Sequence, residues 1–130
     1  MTTELQVLAW SVILLLATVT FQATVTTTAV GIDYNVSNRD EGRQPAGVTA
    51  PRAKRAIANY LETYPAFIAL ALALAVTGKS GGAGASGAIL WIVARTLFFP
   101  IYVIGIPVVR TLAWAASIVG LVMMLVRLMG

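Results

Sequence analysis

Hydrophobic residues along the chain fall into four long blocks that are separated by short polar stretches. The first block runs from Leu5 to Ile32 without a formal charge. It is longer than the roughly 20 residues that a helix needs to cross the hydrocarbon core of a bilayer. The pattern therefore predicts an all-α integral membrane domain, an up-down bundle of four helices that covers residues 1–130. The predicted spans lie at about 4–30, 51–77, 84–104 and 108–128.

Helix start and stop signals divide the blocks. Pro51 has a fixed φ that suits the first turn of the second helix. The glycine-rich stretch 78–87, GKSGGAGASG, predicts the turn before the third helix. Within that helix, Pro100 removes one helical hydrogen bond, which membrane helices tolerate. The connection 105–107 is short enough to join antiparallel neighbours.

Composition agrees with a membrane protein and limits its chemistry. Hydrophobic residues make up 58% of the chain and charged residues only 11%, whereas a soluble domain has roughly 25% charged residues. The chain has no cysteine and no histidine, so disulfides, thiolate nucleophiles and imidazole bases are excluded, and no metal site is expected. A secretory signal peptide is the alternative for the first block. The apolar part of a signal peptide is only about 7 to 15 residues long, however, and the first block is longer.

Basic residues predict the orientation. The first connection and the start of the second helix contain five of them, whereas the second connection contains only Lys79. Because basic loops stay in the cytoplasm, we expect the connections 31–50 and 105–107 there and both termini outside. The net charge of +4 is thus mostly a topology signal, and no nucleic-acid partner is expected.

One motif is set aside as a coincidence. Gly82, Gly84 and Gly87 match the G-x-G-x-x-G pattern of dinucleotide-binding proteins. That fingerprint requires a preceding strand and an acidic residue about 20 positions later, and no acidic residue follows Glu62. A turn whose small residues permit close helix packing is the preferred interpretation.

Polar residues inside predicted spans are costly, which makes them functional candidates. Arg55, Asn59 and Glu62 share one stripe of the second helix, and Arg95 and Tyr102 share one face of the third. Arginines suit carboxylates and Glu62 suits an ammonium, so a small zwitterionic or polyanionic ligand fits, beside a lipophilic partner on the apolar walls. A structural network of arginine and glutamate that neutralise each other explains the same residues equally well.

The polar residues of the second and third helices also resemble the signature of a known family. The segment 52–67, RAKRAIANYLETYPAF, resembles the second-helix signature R-x-x-x-N-x-x-E of the MAPEG family, the membrane-associated proteins of eicosanoid and glutathione metabolism. Pro65 follows at the expected place, and Arg95 with Tyr102 matches the R-x6-Y pattern of the third helix. The triplet 38–40, Asn-Arg-Asp, is similar to that of bacterial members.

The resemblance implies a homotrimer in a bacterial inner membrane, with glutathione bound as co-substrate between subunits near the cytoplasmic face. It implies a glutathione-dependent transferase, with peroxidase activity as a further option, that conjugates lipophilic electrophiles. By this analogy Arg110 is the catalytic residue and stabilises the glutathione thiolate. The residues expected to bind glutathione are Arg39, Arg52, Arg55, Asn59, Glu62, Arg95 and Tyr102.

Two departures from the family pattern keep alternatives open. Phe98 stands where leukotriene-producing relatives have a further tyrosine. Arg110 lies one residue away from the position at which an alignment without gaps to the human synthases of the family would put the catalytic arginine. Arg110 could instead be an interfacial anchor at the end of a helix. The alternative functions are a non-catalytic lipid-binding or scaffold protein of the same fold and a small multidrug exporter, whose membrane carboxylate could only be Glu4.

Overall fold

The structure, a computed structural model, describes all residues 1–130 and contains helices and connections only. Four of its helices are long and apolar enough to cross a membrane, which confirms the predicted fold class. A one-turn helix in the first connection was not predicted from the sequence. The helices are α1 (Thr3–Val30), α2 (Ile32–Asn35), α3 (Thr49–Val76), α4 (Ala83–Ile104) and α5 (Pro107–Met129).

The ends of the helices follow from local chemistry. The hydroxyl of Thr2 accepts a hydrogen bond from the amide of Leu5 and caps α1. Gly31 and Gly105, both with positive φ, end α1 and α4. Each predicted span lies on one long helix, and its ends differ from the observed ones by at most two residues. The largest difference is at α3, which begins before Pro51, because a proline in the first turn requires no amide hydrogen bond.

An aromatic core holds the bundle together. The indole of Trp91 on α4 is fully buried and stacks on Phe67 of α3, with ring centroids 3.9 Å apart. Tyr60 and Tyr64, one turn apart on α3, flank the same indole. Their hydroxyls both reach Ser11 of α1, at 2.9 Å and 2.8 Å. A single aromatic cluster thus joins α1, α3 and α4.

Helix α5 packs against α4 at a pair of glycines. A Cβ atom added at Gly87 would lie 2.5 Å from the carbonyl oxygen of Gly120, and one added at Gly120 would lie 2.6 Å from that of Gly87. No larger residue fits at either position without moving a backbone, as in other close-packed membrane helices. The stretch 78–87 therefore ends in a packing contact, as its small residues predicted, and α4 follows it without any strand.

The turn between α3 and α4 is held by the first helix. Glu4 is fully buried, and its carboxylate accepts the amide hydrogen of Gly81 at 2.7 Å. On the other side of this turn, Arg127 donates to the carbonyl of Lys79 at 2.9 Å. Glu4 lies at the very start of α1, and its carboxylate is nevertheless buried because the turn folds back over it.

At the opposite end of the bundle, the start of α3 lies beside the end of α4. The guanidinium of Arg52 donates to the carbonyls of Val103 and Ile104, at 3.4 Å and 3.2 Å. A positive charge at these last carbonyls complements the negative end of the α4 dipole. The short connection to α5 then brings the first turn of that helix to the same end, so three helices converge where the candidate residues lie.

Candidate functional site

The centre of the candidate site is a buried arginine. Arg95 of α4 is only 1% exposed. Its two terminal nitrogens donate to the amide oxygen of Asn59 and to the hydroxyl of Thr63, both at 2.8 Å and both on α3. Its Nε is buried without a partner. The direct contacts of this buried charge are neutral oxygens and aromatic faces, an arrangement that is costly in a membrane helix.

The contact with Arg95 orients Asn59. A guanidinium can only donate, so the amide oxygen of Asn59 must face it and the amide NH2 must point away. Asn59 is half-buried, whereas Arg95 is closed off from the surface. A ligand at the surface would therefore contact the amide donor of Asn59, and Arg95 would act on that ligand by positioning Asn59.

Aromatic side chains connect Arg95 to the end of the bundle. The ring of Phe98 lies 5.1 Å from the Arg95 guanidinium carbon, and the ring of Tyr102 lies 5.5 Å from that of Phe98. The guanidinium of Arg110, on the first turn of α5, lies 4.5 Å from the centre of the Tyr102 ring, within the range of a cation-π contact. Phe98, which stands where some relatives have a tyrosine, thus links Arg95 to Tyr102 through its apolar ring.

Tyr102 joins two arginines that come from different helices. The Nε of Arg55 donates to its hydroxyl at 3.3 Å, while Arg110 covers its ring. Arg55 is exposed and Arg110 is partly exposed. Two guanidinium groups are therefore available to an anionic ligand on either side of one tyrosine.

The structure brings together most of the predicted residues. Asn59 and Arg95 form one contact pair, and Arg55, Tyr102 and Arg110 form a second group that Phe98 links to it. We call this set the arginine site; it consists of Arg55, Asn59, Thr63, Arg95, Phe98, Tyr102 and Arg110.

Two predicted residues have other contacts. Arg52 is engaged with the last carbonyls of α4. Arg39 lies in the first connection, where its guanidinium donates to the carbonyl of Asn35 at 3.0 Å and 3.2 Å. Both side chains are held by backbone carbonyls outside the arginine site.

Glu62 stands at the edge of the arginine site, exposed and without an ion pair. The one salt bridge of the structure joins Arg43 to Glu41 in the first connection. No salt bridge joins an arginine and a glutamate of the spans, so the direct pairing of that alternative is not seen. The buried guanidinium of Arg95 instead donates to the neutral oxygens of Asn59 and Thr63.

Sequence reasoning missed Thr63, which supplies half of the hydrogen bonds to Arg95. The signal was present, since Thr63 follows Asn59 by four residues and shares its helical face. Phe98 was noted only as a missing hydroxyl, and its role as the aromatic link between Arg95 and Tyr102 depends on packing. No group of three or more acidic residues could hold a metal.

Fold and site together define a multi-pass integral membrane protein with an arginine-rich polar site at one end of a four-span bundle. The model of the MAPEG family matches residues 7–130, essentially the whole chain. The chain belongs to the MAPEG family, which confirms the resemblance seen in its second and third spans. Neither a curated protein nor a solved structure matches the chain.

Proposed function

We propose that this protein is a glutathione-dependent membrane transferase that conjugates lipophilic electrophiles. Membership of the MAPEG family supports this proposal. The observation that carries it is the convergence of Arg55, Asn59, Tyr102 and Arg110 at one end of the spans, with donors left free for an anionic ligand. The multidrug exporter has no comparable support, since the carboxylate of Glu4 is buried and bound to the turn between α3 and α4.

Each free group of the site has a partner in glutathione. The tripeptide has two carboxylates, one ammonium and one thiol. Arg55 and the amide NH2 of Asn59 can donate to a carboxylate, and charge-assisted hydrogen bonds of this kind are the strong ones. Glu62 can accept from the ammonium. The remaining guanidinium, that of Arg110, is then available to the thiol.

The chemistry follows from the charge of Arg110. A free thiol has a pKa near 8.5 and is mostly protonated at neutral pH, and a neighbouring guanidinium lowers this pKa. The thiolate attacks an electrophilic carbon, a sulfur–carbon bond forms, and the leaving group departs with the electron pair. The thiol proton passes to water. Holding both reactants where the polar site meets the lipid adds a proximity effect.

We further propose that the active form is a homotrimer with the site between neighbouring subunits. Glu62 and Arg55 are exposed on α3 of a single chain, and a charged side chain exposed to lipid is costly. A second subunit over this face would remove both charges from lipid. The positive-inside rule places the connections 31–50 and 105–107 in the cytoplasm, and a bacterial inner membrane is the expected location.

Titration of glutathione into the detergent-solubilised protein tests the proposed function. We expect saturable binding and a rise in ultraviolet absorbance from the thiolate, because Arg110 favours the charged form of the thiol. S-methylglutathione is the control, since it can bind but cannot form a thiolate. Binding without any thiolate signal would favour the non-catalytic scaffold, and no binding at all would overturn the proposal.

Replacing Glu62 by leucine distinguishes a ligand contact from a lipid-exposed residue. If Glu62 accepts the ammonium of glutathione, Glu62→Leu should weaken binding by about tenfold or more, the effect of a lost hydrogen bond to a charged group. The measurement is the dissociation constant by calorimetry. Leu61→Ala, at an exposed neighbouring position, is the matched control. An unchanged affinity together with a higher Tm would mean that Glu62 only faced lipid.

A further inference from the structure

Arg52 lies on the same stripe of α3 as the residues of the arginine site, one turn nearer the start of the helix. Its Nη1 donates to the carbonyls of Val103 and Ile104, at 3.4 Å and 3.2 Å. No other side chain of α1, α2 or α3 hydrogen-bonds the backbone between residues 102 and 110. Arg52 is therefore the side chain through which α3 holds the end of α4.

The guanidinium of Arg52 packs directly against Gly105, the residue that ends α4. Gly105 has a φ of +95°, and a Cβ atom added there would lie 2.7 Å from Nη1 of Arg52 and 2.8 Å from its Cζ. A side chain at this position would therefore displace the guanidinium. Arg52 forms no salt bridge, so the backbone at the end of α4 supplies its hydrogen-bond partners.

The connection from α4 to α5 is so short that the end of α4 determines where α5 begins. Only Gly105 and Ile106 separate the two helices. The start of α5 has no side-chain cap, and the amide of Arg110 makes an early hydrogen bond of this helix, to the carbonyl of Ile106 at 3.2 Å. A shift of Gly105 would thus reach Arg110 through five residues of backbone.

The guanidinium of Arg110 depends on this backbone for its position. It makes no hydrogen bond, and it contacts the face of the Tyr102 ring, 4.5 Å from the ring centre. A contact with a ring face is less directional than a hydrogen bond and lets the charge slide across the ring. The place of this charge is therefore set by where the first turn of α5 lies.

We propose that Arg52 is a positioning residue that holds Arg110 beside the thiol of glutathione, acting through the end of α4 and the connection to α5. The inference rests on the proposed transferase function and assigns Arg52 to the backbone of α4 rather than to the ligand. Because the effect of a charge falls with distance, a displaced Arg110 would stabilise the thiolate less. Arg52 thus acts on the thiol without touching it.

The variant Arg52→Leu tests the inference through the pH dependence of the thiolate absorbance of bound glutathione. We expect the midpoint of this titration to rise by about 0.5 to 1 pH unit, less than the roughly 1 to 3 that follow when an opposite charge is removed outright. The thiolate fraction and kcat at neutral pH should fall together and return toward wild type at high pH, while Kd and KM for glutathione stay unchanged. A weaker Kd with an unchanged midpoint would show that Arg52 binds glutathione directly, and the inference would be wrong.

Three further variants separate positioning from charge alone. Arg52→Lys keeps a charged donor for the same carbonyls and should restore most of the wild-type midpoint. Lys54→Leu removes an exposed charge from the same helix end and should leave the midpoint unchanged; an effect equal to that of Arg52→Leu would contradict the inference. In Arg52→Leu combined with Arg110→Ala, the midpoint should equal that of Arg110→Ala alone, whereas additive changes would mean that Arg52 acts by another route.

Amide hydrogen exchange of the ligand-free protein distinguishes failure of this inference from failure of the proposed function. Arg52→Leu should speed exchange between residues 104 and 110, because the end of α4 loses its contact with α3. Exchange in the turn 78–82, at the other end of the bundle, should stay the same. Unchanged exchange at 104–110 would refute the inference even in a protein that forms the thiolate. Faster exchange in a protein that forms no thiolate would refute the proposed function, and the role of Arg52 at the thiol with it.

Discussion

Arg110→Ala is expected to remove the thiolate absorbance of bound glutathione and to lower transferase activity by tenfold or more. An opposite charge within about 4 to 6 Å lowers a pKa by roughly 1 to 3 units, so its loss should return most of the thiol to the protonated form. Binding should fall less, because Arg55 and Asn59 remain. The measurements are the thiolate spectrum as a function of pH and a conjugation assay with a lipophilic aryl halide.

The matched variant Arg110→Lys keeps a positive charge but not the planar contact with the Tyr102 ring. We expect it to retain part of the thiolate signal. If Arg110→Ala leaves the spectrum unchanged, Arg110 is an interfacial anchor, and the thiolate must be stabilised by another group. The most direct candidate would then be Arg55, which contacts the same tyrosine.

Arg95→Leu is expected to have the largest effect on both stability and binding. It leaves the oxygens of Asn59 and Thr63 without donors in the interior, and each unsatisfied group costs about 1 to 3 kcal/mol. The Tm in detergent should therefore fall by several degrees. Glutathione affinity should fall by about tenfold or more, because Asn59 is then free to rotate its amide.

A double-mutant cycle with Asn59→Ala separates positioning from a purely structural effect. If Arg95 acts on the ligand through Asn59, the double variant should bind glutathione about as weakly as Asn59→Ala alone. Additive losses of affinity would mean that Arg95 contacts the ligand by another route. Phe67→Leu, which disturbs the buried core of the same helices, controls for affinity lost through destabilisation alone.

Much of the fold was predictable because the bilayer restricts the choices of the chain. A span must satisfy its own backbone hydrogen bonds, so each long apolar block had to become a helix. Gly31 and Gly105 mark helix ends, whereas Pro65 and Pro100 lie within helices. The same restriction made polar residues within the spans conspicuous. Arg55, Asn59, Glu62 and Arg95 could be selected from the sequence for this reason alone.

Periodicity could place these residues on faces but could not assign their partners. The four polar positions 52, 55, 59 and 62 share one stripe of α3, yet each side chain has a different environment. Arg52 bonds to the end of α4, Arg55 to Tyr102 and Asn59 to Arg95, while Glu62 stays exposed. The vertical offset and rotation of α4 against α3 decide which of these contacts form, and both are set by packing around Trp91.

The sequence by itself determined four membrane helices, the absence of cysteine and histidine side chains, and the family signature in the second and third spans. Only the tertiary structure decided that Arg95 is buried, that Phe98 and Tyr102 link it to Arg110, and that Glu4 is held by the turn before α4. The physical reason is that burial and hydrogen bonding between helices depend on side chains distant in sequence, whereas helix formation in a membrane depends on each segment alone.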